Sequence, residues 1–435
     1  MVAAFLYFFS MRLTQNKSVF ILFIDMCKTF YQIFYSVCIL FCALASVSCS
    51  NTKSSSVAED QLFSLKYGSF DNELTLFSLN KVGEINTSIA MRDGFFYIAN
   101  SEAKKIIETN SYGSVLNLFY NKETNPVPDF ADKENTAVLG TATQKAVEYP
   151  FNKIGPIAVD SRKYLYVTDT LPIERQQQDD ERGLHLAEIV LIFDEDGGFV
   201  NYLGQNGRGG DPFPAIKAIY TNAENELIVV CYTNSGLDTY WFSSSGDELF
   251  TIHFSSANIP NPYSENDGET FITLDNVVPD YNSKRLHIKA DYYTTSIDSA
   301  SKVLAGVNFD ATILHTYDID SLSYVSSLEI SPYTETSSDT LAKVEYNEPY
   351  NFMGVTENGW FFFMIADDFG YTIQMVQADG QKILKRHLDF DKSKILYYTF
   401  NLSNNGIISA LFAKKDEAIV NWWRTDQQID AILKS

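Results

Sequence analysis

The chain has 435 residues, with 55 Asp plus Glu against 33 Lys plus Arg and a formal net charge of −22. So large an acid excess excludes a protein that grips phosphate backbones, which needs a basic face. With 14% aromatic and 45% hydrophobic residues the chain is not disordered in general and can bury a sizeable core.

Residues 1–48 differ from everything after them. They carry one acid (Asp25) and three bases (Arg12, Lys17 and Lys28), so the remainder holds 54 acids against 30 bases, a net charge of −24. Two apolar runs, residues 19–24 and 33–47, are both shorter than the ~18–20 residues of a membrane-spanning helix. The second has the length of a signal-peptide core and ends in small residues. Met26-Cys27-Lys28 is a more ordinary start for such a signal than Met1, so residues 1–25 read as an over-called start.

Four of the five cysteines (Cys27, Cys38, Cys42 and Cys49) lie in or at the end of this leader. Cys49 follows Leu44-Ala45-Ser46-Val47-Ser48 and precedes a polar tether, Ser50-Asn51-Thr52-Lys53-Ser54-Ser55-Ser56. This segment resembles the lipobox of bacterial lipoproteins, with Ser46 where that pattern prefers Leu. The resemblance implies cleavage before Cys49 and lipid on its side chain. A plain secretory signal or an uncleaved anchor is the competing reading. The mature chain would then keep only Cys231 as a free thiol, with no partner for a disulfide. Its setting, Leu227-Ile228-Val229-Val230-Cys231-Tyr232, is that of a buried strand, which predicts an inert core thiol.

From residue 61 onward, short β-branched and aromatic runs bounded by Gly, Asn and Asp recur. The clearest unit runs Ile157-Ala158-Val159-Asp160, then Tyr164-Leu165-Tyr166-Val167-Thr168-Asp169. It resumes at Ile189-Val190-Leu191-Ile192-Phe193-Asp194, turns at Gly197-Gly198, and closes with Phe199-Val200-Asn201-Tyr202-Leu203-Gly204. This unit resembles an NHL-type repeat, which implies four antiparallel strands forming one propeller blade. Looser copies begin near Ile89, Ile219, Arg285, Gly354 and Asn405. Three of them space their two turns alike, at Gly94 and Gly113, Asn225 and Gly246, Gly359 and Gly380.

The fold expected is therefore all-β, a six-bladed β-propeller over residues 61–435, after a leader (1–48) and a tether (49–60). Seven blades or a pair of sandwiches are the alternatives. The sixth unit runs short of strands, while residues 61–80 form an orphan hairpin-like stretch. An N-terminal strand completing the last blade would close the ring and hide both edges. Polar insertions near 122–148, 171–186, 293–306 and 332–347 read as loops on the faces. Tyr292, Tyr293, Tyr346 and Tyr350 are expected there as adaptable contacts. Trp360-Phe361-Phe362-Phe363 and Trp422-Trp423 read as packing between blades.

Chemistry-bearing motifs are scarce. No P-loop, dinucleotide fingerprint, zinc spacing or nucleophile elbow occurs. The Gly-rich stretch 204–210 follows an outer strand and does not open a helix, so it reads as the turn to the next blade. The five histidines (His185, His253, His287, His315 and His387) include no closely spaced pair, and spacing singles out no Ser–His–Asp set among so many Ser and Asp.

The residue closing the second strand of each unit does form a pattern: Asn100, Asp169, Asn234, Asp291 and Asp367, with Lys414 in the sixth. On one face of a central channel, these oxygens could hold a ligand or a Ca²⁺ ion. The competing role is capping a local turn, as Asx side chains do. Similar six-bladed lactonases and lyases place metal at the channel, and that likeness implies a metal-dependent enzyme as the alternative function. The leading expectation is a non-enzymatic propeller without a cofactor. It would be lipid-anchored in the cell envelope through Cys49, periplasmic or surface-exposed, and would bind an envelope protein, a peptide or a glycan, with no nucleic-acid partner.

Overall fold

The computed structural model describes residues 55–77, 85–131, 144–264, 269–297, 304–339 and 342–433. The leader and Cys49 lie outside the described residues. Six sheets form a six-bladed β-propeller. Blade I comprises Ser88–Arg92, Phe95–Asn100, Lys105–Thr109 and Val115–Tyr120, and blade II Ile154–Val159, Leu165–Thr170, Glu188–Phe193 and Phe199–Gly204. Blade III is Ile216–Thr221, Leu227–Tyr232, Gly236–Phe242 and Glu248–Ser255. Blade IV is Thr270–Pro279, Arg285–Ile297, Leu304–Asp318 and Ser323–Ile330. Blade V is Asn351–Val355, Trp360–Asp367, Gly370–Gln377 and Ile383–Asp389. Blade VI takes Tyr397–Leu402, Ile408–Ala413 and Glu417–Trp423 from the end of the chain. Its outer strand is Glu59–Tyr67, antiparallel to Glu417–Trp423, so the expected N-terminal strand closes the ring.

Alternation along each strand sends side chains to both faces of a blade, and both faces are covered by neighbouring blades. The result is six apolar layers, one per blade–blade interface. Phe63, Leu65, Phe96, Leu118 and Leu411 fill the layer between blades VI and I. Trp360, Phe362, Phe412 and Trp423 fill the one between blades V and VI, as expected of those aromatic runs. Cys231 is fully buried between blades II and III, where burial holds its thiol well above the ordinary range.

The turns explain the local register. Asp160 accepts from the backbone N–H of Arg162 and of Tyr164, each at 2.9 Å, and so closes the first hairpin of blade II. In blade I, Gly113 has φ +78°, and a Cβ there would lie 2.8 Å from Phe63 of the closing strand. Only glycine suits both the backbone and the close approach.

The insertions are more ordered than loops. Residues 171–187 include a two-stranded ribbon, Gln177–Asp179 with Leu184–Leu186, and 331–350 a second, Tyr333–Asp339 with Ala342–Glu348. Around 293–306 the central hairpin of blade IV simply continues outward, as strands Arg285–Ile297 and Leu304–Asp318. Within 122–148, residues 132–143 lie outside the described residues, and Lys145–Glu148 adds a parallel fifth strand to blade I. Two expected loop contacts prove to be core: Tyr292 is buried, with its hydroxyl donating to Pro260 O at 2.6 Å, and Tyr350 is buried against Tyr333. Tyr293 is partly buried on its strand, and Tyr346 is exposed.

Candidate functional site

Strands alternate in direction, so turns joining first to second and third to fourth strands share one face. All of these span five residues or fewer. The other face carries the second-to-third and blade-to-blade connections, and every connection longer than five residues emerges there. Phe70, Val127, Ile173, Tyr346, Phe369 and Leu396 are large apolar side chains exposed on this elaborated face.

The six innermost strands converge on an axial cavity of about 140 Å³ near the tight-turn face, lined by Met91, Ala158, Tyr220, Val278, Gly354 and Asn401 among others. Its one lining cation, Arg92, donates to the Tyr281 hydroxyl at 3.1 Å. The lining is otherwise apolar side chains, amides and hydroxyls, which offers shape but no acid–base group.

At the elaborated end, a pocket of about 110 Å³ is lined by Asn86, Lys153, Thr168, Asp169 and Glu188 among others. Asp169 closes the second strand of blade II. Its Oδ1 accepts from the N–H of Lys153 at 2.7 Å and of Asn152 at 3.1 Å, which caps the entry to the blade's first strand. Burial pushes its carboxyl up to about 6, against the pull of those backbone donors. Glu188, which begins the third strand, accepts from the Ile216 N–H at 2.7 Å and is also raised by burial. Two carboxyl groups, both raised by burial, therefore share one pocket, and their oxygens with the Thr168 hydroxyl and the Asn86 amide give it a polar lining that suits a hydroxyl-rich or peptide ligand.

The other second-strand residues bond locally. Asn100 is buried; its Oδ1 accepts from Thr75 N at 2.8 Å, and its Nδ2 donates to Thr75 O at 2.8 Å and to Thr87 Oγ1 at 2.9 Å, clamping the segment that leads into blade I. Asn234 is exposed and donates to the carbonyls of Arg182 and Gly183, at 3.3 and 3.2 Å, so it fastens the first ribbon. Asp291 accepts from Lys289 Nζ at 2.6 Å and Thr312 Oγ1 at 2.5 Å inside blade IV. Asp367 accepts from Thr372 Oγ1 at 2.7 Å, and lies 2.9 Å from His387 Nε2. Lys414 uses its carbonyl, which accepts from the Tyr67 hydroxyl at 2.5 Å. Among the described residues no group of three His, Cys, Asp or Glu side chains converges as a metal site. Glu188 carries no sequence signal: it opens a strand between Ala187 and Ile189, and only the fold sets it beside Asp169.

No family model matches the sequence, and no curated protein matches it. Solved structures with which the chain aligns include a gluconolactonase of Xanthomonas campestris, at 8% identity and TM-score 0.38, covering 85% of this chain and 97% of that one. A streptogramin B lyase aligns at 12% identity and TM-score 0.34, covering 84% of this chain and 97% of that one. An ulvan lyase aligns at 9% identity and TM-score 0.38, covering 84% and 96%. These likenesses concern the course of the chain alone.

Proposed function

We propose that this chain is a lipid-anchored propeller of the bacterial cell envelope that binds a protein, peptide or glycan through its elaborated face. One observation carries the reading: every connection longer than five residues leaves the ring on that face. A ring with short turns on one side and long connections on the other is suited to recognition. The exposed side chains of Ile173 and Phe369 supply apolar contact there, and the pocket of Asp169 and Glu188 supplies polar contact. The acid excess of the chain favours neutral or basic partners over nucleic acid. Attachment through Cys49 is supported by the small-residue stretch before it and the polar tether after it.

Two measurements on protein extracted from membranes test this. The intact mass should be that of a chain beginning at acylated Cys49; any other N-terminus removes the anchor. Pull-down of the tagged, acylated chain from solubilised membranes should retain a reproducible partner, and a saturable one. Repeated capture of nothing beyond an untagged control would remove the binding role, unless a glycan array then shows a specific hit.

A further inference from the structure

Blade III and the ribbon rising from blade II enclose a second pocket on the elaborated face, of about 380 Å³, lined by Arg182, Leu184, Thr233, Asn234, Ser235 and His253. This volume lies in the usual range of small-molecule sites. Two of its lining groups, Ser235 and His253, stand in line with Asp238 buried behind them. Asp238 and His253 are paired positions on adjacent strands, and His253 Nδ1 lies 2.7 Å from Asp238 Oδ1. The other ring nitrogen, Nε2, lies 3.1 Å from Ser235 Oγ.

The environment of each group matches a role. The Asp238 side chain is 1% exposed, and its second oxygen accepts from Arg182, which leaves Oδ1 to the imidazole. The tautomer that pairs with a carboxylate oxygen carries its hydrogen on Nδ1, and that tautomer turns the Nε2 lone pair toward the serine hydroxyl. That tautomer is the one a general base requires. Ser235 is exposed in the turn of residues 233–235, which is closed by Thr233 N–H on Gly236 O at 3.0 Å and by Gly236 N–H on Thr233 Oγ1 at 3.1 Å. A purely structural Asp–His–Arg cluster would not require a hydroxyl on the open side of the ring, nor a pocket in front of it.

We propose that Ser235, His253 and Asp238 are nucleophile, general base and orienting carboxylate of a site that hydrolyses small carboxylic esters. Ser235 Oγ forms a bond to the ester carbonyl carbon while its proton passes to His253 Nε2. The tetrahedral adduct collapses, the carbon–oxygen bond to the alcohol breaks, and the leaving oxygen takes the proton from Nε2. Water then repeats the sequence on the acyl-serine: it gives a proton to Nε2, its oxygen bonds to the acyl carbon, and Ser235 leaves and recovers the proton. Ester and water become acid and alcohol, with no other reactant. Asp238 is a positioning residue that also stabilises the imidazolium formed at each step.

The test uses the full chain in detergent, a fluorophosphonate probe and p-nitrophenyl acetate. Peptide mapping should place the phosphonyl group on Ser235, and Ser235→Ala should lose both that adduct and ester turnover. His253→Gln, with an unchanged melting temperature, should slow modification of Ser235 by roughly 10²-fold or more and abolish the pH dependence of the rate. Ser235 left unmodified in folded wild-type protein, or modified as fast in His253→Gln, would overturn the proposal. Neither result bears on partner capture, so the site and the binding role are tested separately.

Discussion

Leu65 and Ala418 face each other as paired residues in blade VI, one from the beginning of the ring and one from its end. Leu65 is 3% exposed and packs in the layer shared with blade I, so this pairing both completes a sheet and joins the two ends of the propeller. Truncating Leu65 to Ala should cost about 2–5 kcal/mol, whereas Ser64→Ala, on the exposed side of the same strand, should stay within about 0.5 kcal/mol. Urea denaturation of both variants checks this. Equal effects would mean that the closing strand contributes backbone pairing but no core.

Asp169 gives the ring a titrating cap. Its carboxyl has an ordinary value of 3.8 and stands at about 6 in the folded chain because it is buried. A raised value means that the group favours folding while protonated, so its contribution is full below 3.8 and is lost as pH rises through 6. Asp169→Asn keeps a neutral acceptor at every pH. Its stability relative to wild type should therefore increase from pH 4 to pH 7, by on the order of 2–3 kcal/mol. A difference that stays flat across that range would show the carboxylate to be well solvated.

His315 titrates with the opposite consequence. Its ring lies between the Tyr292 hydroxyl at 2.7 Å and Ser327 Oγ at 2.8 Å, and burial lowers it from 6.5 to about 4. A histidine so lowered favours folding while neutral; its contribution is present above 6.5 and is lost as pH falls through 4. The urea midpoint of His315→Gln should therefore trail wild type by a constant amount above pH 7, and the gap should narrow below 6.5. Parallel profiles down to pH 4 would contradict the assignment.

Much of the ring is legible in the sequence because blades are local. The run from Ile157 to Gly204 places four strands and their turns within one stretch, and Asp160, Asp194 and Gly197 mark the turns with residues whose chemistry favours them. The ribbons escape such a reading, since Gln177–Asp179 and Tyr333–Asp339 show no apolar alternation and gain their strand state from pairing alone. Tyr292 and Tyr350 misled because each sits in or beside a polar insertion: at Tyr292 the strand Arg285–Ile297 continues and buries the ring, and Tyr350, just before the strand Asn351–Val355, packs against Tyr333. The sites depend on register. Asp238 meets His253 only because the turn of residues 243–247 sets one strand against the next, and Glu188 meets Asp169 only across the blade. No spacing rule in one dimension reveals either pairing.

The central claim, that one face of the ring does the binding, is tested most directly by photo-crosslinking in intact cells. A photoreactive residue at Ile173 or Phe369, 84% and 76% exposed on the elaborated face, should yield a discrete adduct. The same residue at Tyr112 or Leu322, 86% and 67% exposed on the tight-turn face, should yield none. Adducts from the tight-turn face alone, or equally from both, would contradict the account.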